Sequence, residues 1–170
     1  MIEEVAAAAD APAEATATAQ RLMARLNILG QLVNKVIDGA VLRVGDVGGW
    51  QSNQPGVLYF WAAWSSESVA LGEKLKNRLP AGANVLSFRL DPSDQPLELG
   101  VAEPSTKETK ESFSKLPGRV VELAGGIDGD VARRLGVTTA PLLYFVDTQG
   151  RIVDVSGLDN MDSKLQRLSF

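Results

Sequence analysis

The chain has 170 residues, 45% hydrophobic and 22% charged, enough for one domain with a full core. It contains no cysteine and no histidine, which removes the usual ligands of zinc, copper and iron–sulfur sites and every triad built on imidazole or thiol. The net charge is −4 with no basic patch, so nucleic acid is not an expected partner, and no apolar stretch approaches the ~18–20 residues that span a bilayer.

Met1 to Gln20 is rich in alanine, with Pro12 and the threonines Thr16 and Thr18. It reads either as the leading segment of an exported protein whose signal or anchor has been removed, or as the frayed start of a cytosolic chain. Residues 13–38 are expected to form an amphipathic helix. Ala15, Ala19, Leu22, Leu26, Leu29, Val33 and Val36 alternate spacings of four and three, and Asp38-Gly39 ends the pattern. Such a seam suits a helix packed on its own domain, and it also suits a homodimerisation helix.

Val41 to Val47 is a strand candidate, broken by Gly48-Gly49. Gly56 to Ala63 is a continuous apolar, aromatic-rich run of buried-strand length. Residues 66–79 follow as a helix, with Val69, Leu71 and Leu75 apolar and Leu79-Pro80 as its stop. Asn84 to Leu90 alternates like a strand and is stopped by Asp91-Pro92. Residues 92–118 are polar and proline-rich, an insertion with a short helix at Thr106 to Leu116. Val120 to Leu123 is a brief strand. Asp128 to Leu135 is a short helix, with Asp128 as its N-cap and Gly136 as its stop. Pro141 to Val146, the turn Asp147-Thr148-Gln149-Gly150 and Arg151 to Ser156 read as a β-hairpin, and Met161 to Leu168 as a terminal helix. Early alternation of helix and strand implies parallel strands, and the closing hairpin adds antiparallel ones. The expected fold class is an α/β/α sandwich with a mixed central sheet and a mid-domain insertion. Residues 1–39 form its N-terminal helical extension and 40–170 the domain.

Two segments carry chemical interest. The first is the junction Phe60-Trp61-Ala62-Ala63-Trp64-Ser65-Ser66-Glu67-Ser68. Serine is a favoured N-cap, so Ser65 has an ordinary structural role at a helix start. The second is Gly136-Val137-Thr138-Thr139-Ala140-Pro141. A proline that opens a buried strand gives up a ladder donor; a cis bond and a trans proline at the strand's first residue both remain open.

Together these segments resemble the thioredoxin superfamily, in particular the TlpA-like (DsbE/ResA-type) thiol–disulfide oxidoreductases that act outside the cytoplasm. Phe60 to Trp64 is similar to that family's lead-in to Cys-x-x-Cys. Asp128 to Val137 resembles its helix before the cis-proline loop, and Leu142 to Val155 its closing hairpin. The resemblance covers about residues 40–168 and implies a thioredoxin-like fold, protein substrates or a redox partner protein, no cofactor and a periplasmic or otherwise extracytoplasmic setting. It places Ser65 at the nucleophilic cysteine and Ser68 at the resolving one. Trp64 flanks the site, Pro141 is the cis-proline, and Thr139 and Ala140 offer backbone to substrate.

The chemistry explains the spacing. A sulfur at a helix N-terminus is held as thiolate by free N–H groups and the dipole, and thiolate is the attacking species. Serine stays protonated and forms no disulfide, so the chain as written cannot do this reaction. Glu67 would raise a neighbouring thiolate's pKa by like charge. The strand position that often holds a buried acid or other polar residue in that family is here Tyr59 or a neighbour, and no proton acceptor is evident there. Serine is the nearest isostere of cysteine. The pair Ser65 and Ser68 therefore reads either as a deliberate Cys→Ser substitution in an active oxidoreductase, or as a naturally redox-dead module that binds proteins through the same groove.

Overall fold

In the computed structural model, which describes residues 3–33, 51, 53–79, 82–91, 114–123, 125–157 and 160–167, the apolar runs become strands and the capped segments helices. In chain order they are α1 (Glu3–Ile28), β1 (Gly56–Trp61), α2 (Ser66–Arg78), β2 (Asn84–Arg89), β3 (Arg119–Glu122) and a 3-10 turn at Gly126–Asp128. Then come α3 (Asp130–Arg134), β4 (Leu142–Val146), β5 (Ile152–Ser156) and α4 (Met161–Arg167). The strands form one sheet in the order β3-β2-β1-β4-β5. β1 is parallel to β2, from Gly56 opposite Asn84 to Trp61 opposite Arg89, and β2 is parallel to β3. β1 is antiparallel to β4, with Phe60 opposite Leu142, and β4 is antiparallel to β5.

β1 is buried along its whole length because both faces of the sheet are covered. Its side chains alternate between two cores. Leu58 and Phe60 join Phe88, Tyr144, Ile152, Leu135 and Ile28 on the face covered by α1 and α3. Val57, Tyr59 and Trp61 join Leu71, Leu75, Phe145, Met161 and Leu165 on the face covered by α2 and α4. Phe60 stacks on Phe88 at 5.0 Å and meets Tyr144 edge-on at 5.2 Å, which fixes β1 between its two neighbours. This is the three-layer α/β/α sandwich with a mixed sheet that the alternation of elements predicts.

Most element ends fall within one or two residues of expectation, β1 ending at Trp61 and not Ala63. Three further differences concern the first helix, the cap of α3 and β3. The first helix runs from Glu3 to Ile28, not 13–38. Gly30 takes a positive φ of 81° and turns the chain. Residues 30–33 then run along β5: Gly30 N–H donates to Ile152 O at 2.7 Å, Ile152 N–H to Gln31 O at 2.9 Å, and Val33 N–H to Gly150 O at 2.8 Å. Leu29 and Val33 thus reach the core from outside the helix, and the heptad seam is not one continuous helical face. The second difference is at Asp128, which ends the 3-10 turn and does not cap α3; the residue before α3 is Gly129, and no side chain caps that helix. The third is small: β3 is shifted one residue earlier than Val120–Leu123. The strand expected at Val41 to Val47 and most of the insertion lie outside the described residues.

The hairpin turn forms as its residue types require. Gly150 has φ of 77°, its N–H donates to Asp147 O at 3.0 Å, and the Asp147 carboxylate accepts from the N–H groups of Gln149 and Arg151 at 2.8 and 2.9 Å.

Candidate active site

The sheet brings the two motif segments side by side. Phe60 pairs with Leu142, so Pro141 enters β4 beside the end of β1, where the loop Ala62 to Ser65 leads into α2. The Ala140–Pro141 bond is cis. Pro141 is buried, Ala140 half-buried and Thr139 exposed. Trp64 projects from the loop with 59% of its surface exposed.

Ser65 is the N-cap of α2, with extended φ and ψ of −105° and 107°. Its Oγ accepts from Ser68 N–H at 3.2 Å, which satisfies one of the orphan donors of the first turn. Its hydroxyl also donates to Glu67 Oε2 at 3.3 Å, and so does that of Ser66. The Glu67 carboxyl is held below its ordinary range, first by its own backbone N–H and then by these hydroxyls. Ser68 lies one turn into the helix and is fully buried. Among the described residues its Oγ makes no hydrogen bond of good geometry, although the Tyr59 hydroxyl stands beside it.

Beneath this turn, the Tyr59 hydroxyl donates to the Ser68 carbonyl oxygen. Burial pushes its phenol well above the ordinary value, so it stays protonated. At the strand position where an acid is expected, the protein places a neutral donor that ties β1 to the first turn of α2.

A carboxylate does stand at the site, on another strand. Asp91, just after β2, accepts the Ala63 N–H at 2.9 and 3.1 Å through its two oxygens. Arg89 binds Asp91 at 3.0 Å and Glu122 at 2.9 Å, and its guanidinium lies 6.0 Å from the Trp61 ring centre. Sequence reasoning read Asp91 only as a strand stop. The signal that could have found it is its place at the carboxyl end of a parallel strand, where open α/β sheets gather their site residues. Arg25 was missed for a different reason: it reaches the Gly136–Thr138 loop from α1, 111 residues away in sequence. Among the described residues no cluster of His, Cys, Asp or Glu could hold a metal ion, and no helix is long and apolar enough to cross a membrane.

No family model matches the chain, and no curated protein matches it by sequence. Solved structures do. A thiol-disulfide oxidoreductase from Bacteroides fragilis superposes with a TM-score of 0.51 at 18% identity, over 69% of this chain and 82% of that one. A thioredoxin-like protein determined in its oxidised form superposes with a TM-score of 0.51 at 12% identity, over 68% of this chain and 77% of that one. The chain is structurally similar to thiol–disulfide oxidoreductases, and its fold is thioredoxin-like.

Proposed function

We propose that this chain carries the frame of a thiol–disulfide oxidoreductase, a reductase or isomerase of exported protein substrates, with Ser65 and Ser68 standing where its two thiols act. The observation that carries the reading is the buried Ser68 hydroxyl, which has no partner of good geometry among the described residues. A buried hydroxyl left unpaired costs about 1–3 kcal/mol, whereas a thiol behaves as a small hydrophobe and needs no partner. Position 68 is therefore better suited to sulfur than to oxygen. Position 65, at the N-terminus of α2 just past the end of β1, is where a thiolate is stabilised and can meet a substrate.

With both thiols present, the thiolate at position 65 attacks one sulfur of a substrate disulfide and expels the other as a thiolate. The thiolate at position 68 then attacks the sulfur at 65, releases the second substrate thiol and closes an internal disulfide. Two electrons pass to the substrate, and an external dithiol restores the pair. Glu67, within reach of position 65, opposes negative charge there and shifts the pair toward its oxidised form, so that it donates electrons more readily. Trp64, Thr139, Ala140 and Pro141 line the substrate side. The extracytoplasmic setting rests on the sequence resemblance. The exposed residues Leu22, Met23 and Leu26 of α1 support the homodimer reading for residues 13–38, which light scattering on the parent and on Leu26→Lys tests.

The second reading, a redox-dead module that binds proteins through the same groove, is favoured by one observation. Ser65 caps α2 well as it stands. The encoding gene separates the two, since cysteine codons at positions 65 and 68 decide for the enzyme. The bench test installs Ser65→Cys and Ser68→Cys and follows insulin reduction with dithiothreitol. Turnover and a defined redox potential are expected; a folded double variant with neither overturns the enzyme reading.

A further inference from the structure

We infer that α1 is a brace for the substrate-side loop, and that Arg25 is its positioning residue, setting the backbone of Thr139 and Ala140 through Gly136 and Thr138. The part of the inference that concerns substrate rests on the function proposed above; the brace itself does not.

The contacts are specific. The Arg25 Nε–H donates to Gly136 O at 3.2 Å, and an Nη of the same guanidinium donates to Thr138 Oγ1 at 2.6 Å. One planar fork thus holds two points of the loop. The helix backbone lies against the same place. Gly136 has φ of 66°, and a Cβ there would sit 2.5 Å from Arg25 N and 2.7 Å from Arg21 O. Only glycine allows so close an approach. A second tie, Arg21 to Asp128 at 3.0 Å, anchors the helix one turn earlier to the 3-10 turn before α3.

The loop is gripped from the sheet as well. The Tyr144 hydroxyl, from β4, donates to Leu135 O, and Val137 N–H donates to Ala132 O at 2.9 Å. Residues 135–138 are therefore fixed by β4 and α3 on one side and by α1 on the other. The chain then has only Thr139 and Ala140 before it enters β4 at Pro141. Those two residues have little independent freedom: their position follows from where Thr138 is held. Lysine at position 25 would keep the charge but could not fork across both acceptors. Methionine would keep much of the apolar stem and remove both bonds.

The test begins with the chain as it is. Residue-resolved amide hydrogen exchange is compared for the parent, Arg25→Met and Arg25→Lys. A charge-assisted hydrogen bond contributes about 1.5–3 kcal/mol, so Arg25→Met is expected to speed exchange at Val137 and Leu142 by about tenfold or more. Protection of β1 and β2 is expected to stay at the parent level, with Arg25→Lys intermediate. Unchanged exchange in the loop, or an equal acceleration across loop and sheet, overturns the brace. The second arm uses the Ser65→Cys and Ser68→Cys chain and insulin. There Arg25→Met is expected to raise KM several-fold with little change in kcat or in the pH profile of the thiol. A fall in kcat with KM unchanged overturns the positioning role. If the double-cysteine parent has no turnover, the proposed function fails, and the exchange measurement alone decides the brace.

Discussion

Two tyrosines, one on each face of the sheet, make the same bond in different settings. Tyr59 donates to the carbonyl of Ser68 in the first turn of α2, and Tyr144 donates to the carbonyl of Leu135 at the end of α3. Each ties a central strand to the helix beside one half of the site. Around Tyr144, Arg25 takes Gly136 O and Thr138 Oγ1, while the Nε of Arg21, on the same helix, is buried without a hydrogen-bond partner among the described residues. Around Tyr59 the Ser68 hydroxyl is unmatched among the described residues. The two halves differ in what is left over: one nitrogen of a guanidinium whose Nη already binds Asp128, against a neutral hydroxyl inside a helix.

Alkali gives the largest test of this pairing. Burial raises the Tyr144 phenol from 10.0 to about 12, and the Tyr59 phenol is raised as well. A raised acid keeps its contribution to stability below its unfolded pKa and loses it as pH climbs through the folded one. The fold is therefore expected to weaken between pH 10 and about 12, with Tyr144 contributing up to about 2–3 kcal/mol of the loss. Denaturant midpoints measured across that window should fall, and Tyr144→Phe should flatten its share of the fall while leaving that of Tyr59. A midpoint flat to pH 12 in the parent would break the comparison.

The next effect is opposite in sign. Ser68→Ala removes the unmatched hydroxyl, so it should raise stability by about 1 kcal/mol or more, read from urea unfolding. A loss would show that the hydroxyl has a partner in solution. The smallest effect lies three residues earlier. Ser65→Ala removes the cap of α2 and should cost about 1 kcal/mol in the same assay. Two serines in one helical turn, changed alike, should thus move stability in opposite directions.

Much of the fold was legible because local patterns and burial agree. The all-apolar run at 57–61 has the length and aromatic content of a strand covered on both faces, and Asp147 with Gly150 has the residue types of a turn. The helix at residues 66–78 announced itself through its capping serine and its proline stop. What was not legible came from contacts distant in sequence. Spacing continued the first helix past Gly30, but pairing of residues 30–33 with β5 outweighed the heptad pattern. Asp128 looked like a cap, but the 3-10 turn placed it one residue too early. The segments that hold the proposed site residues Ser65, Ser68 and Pro141 stood out because motif and element boundary coincide. Asp91 and Arg25 were not, since each acts on a loop that only the folded sheet brings near.

The pairing of residues 30–33 with β5 has a consequence for colloidal behaviour. An open strand edge invites a second molecule to extend the sheet, the first step toward amorphous or fibrillar association. Here the β5 edge is zippered in part by the protein's own backbone, through Gly30, Gln31 and Val33. At the other end of the sheet β3 is only four residues long and carries Arg119 and Glu122. The hydrophobic strands β1 and β4 lie interior to both. Loss of the few pairs with residues 30–33 would expose β5, so the protein's solubility depends in part on that one short stretch of main chain.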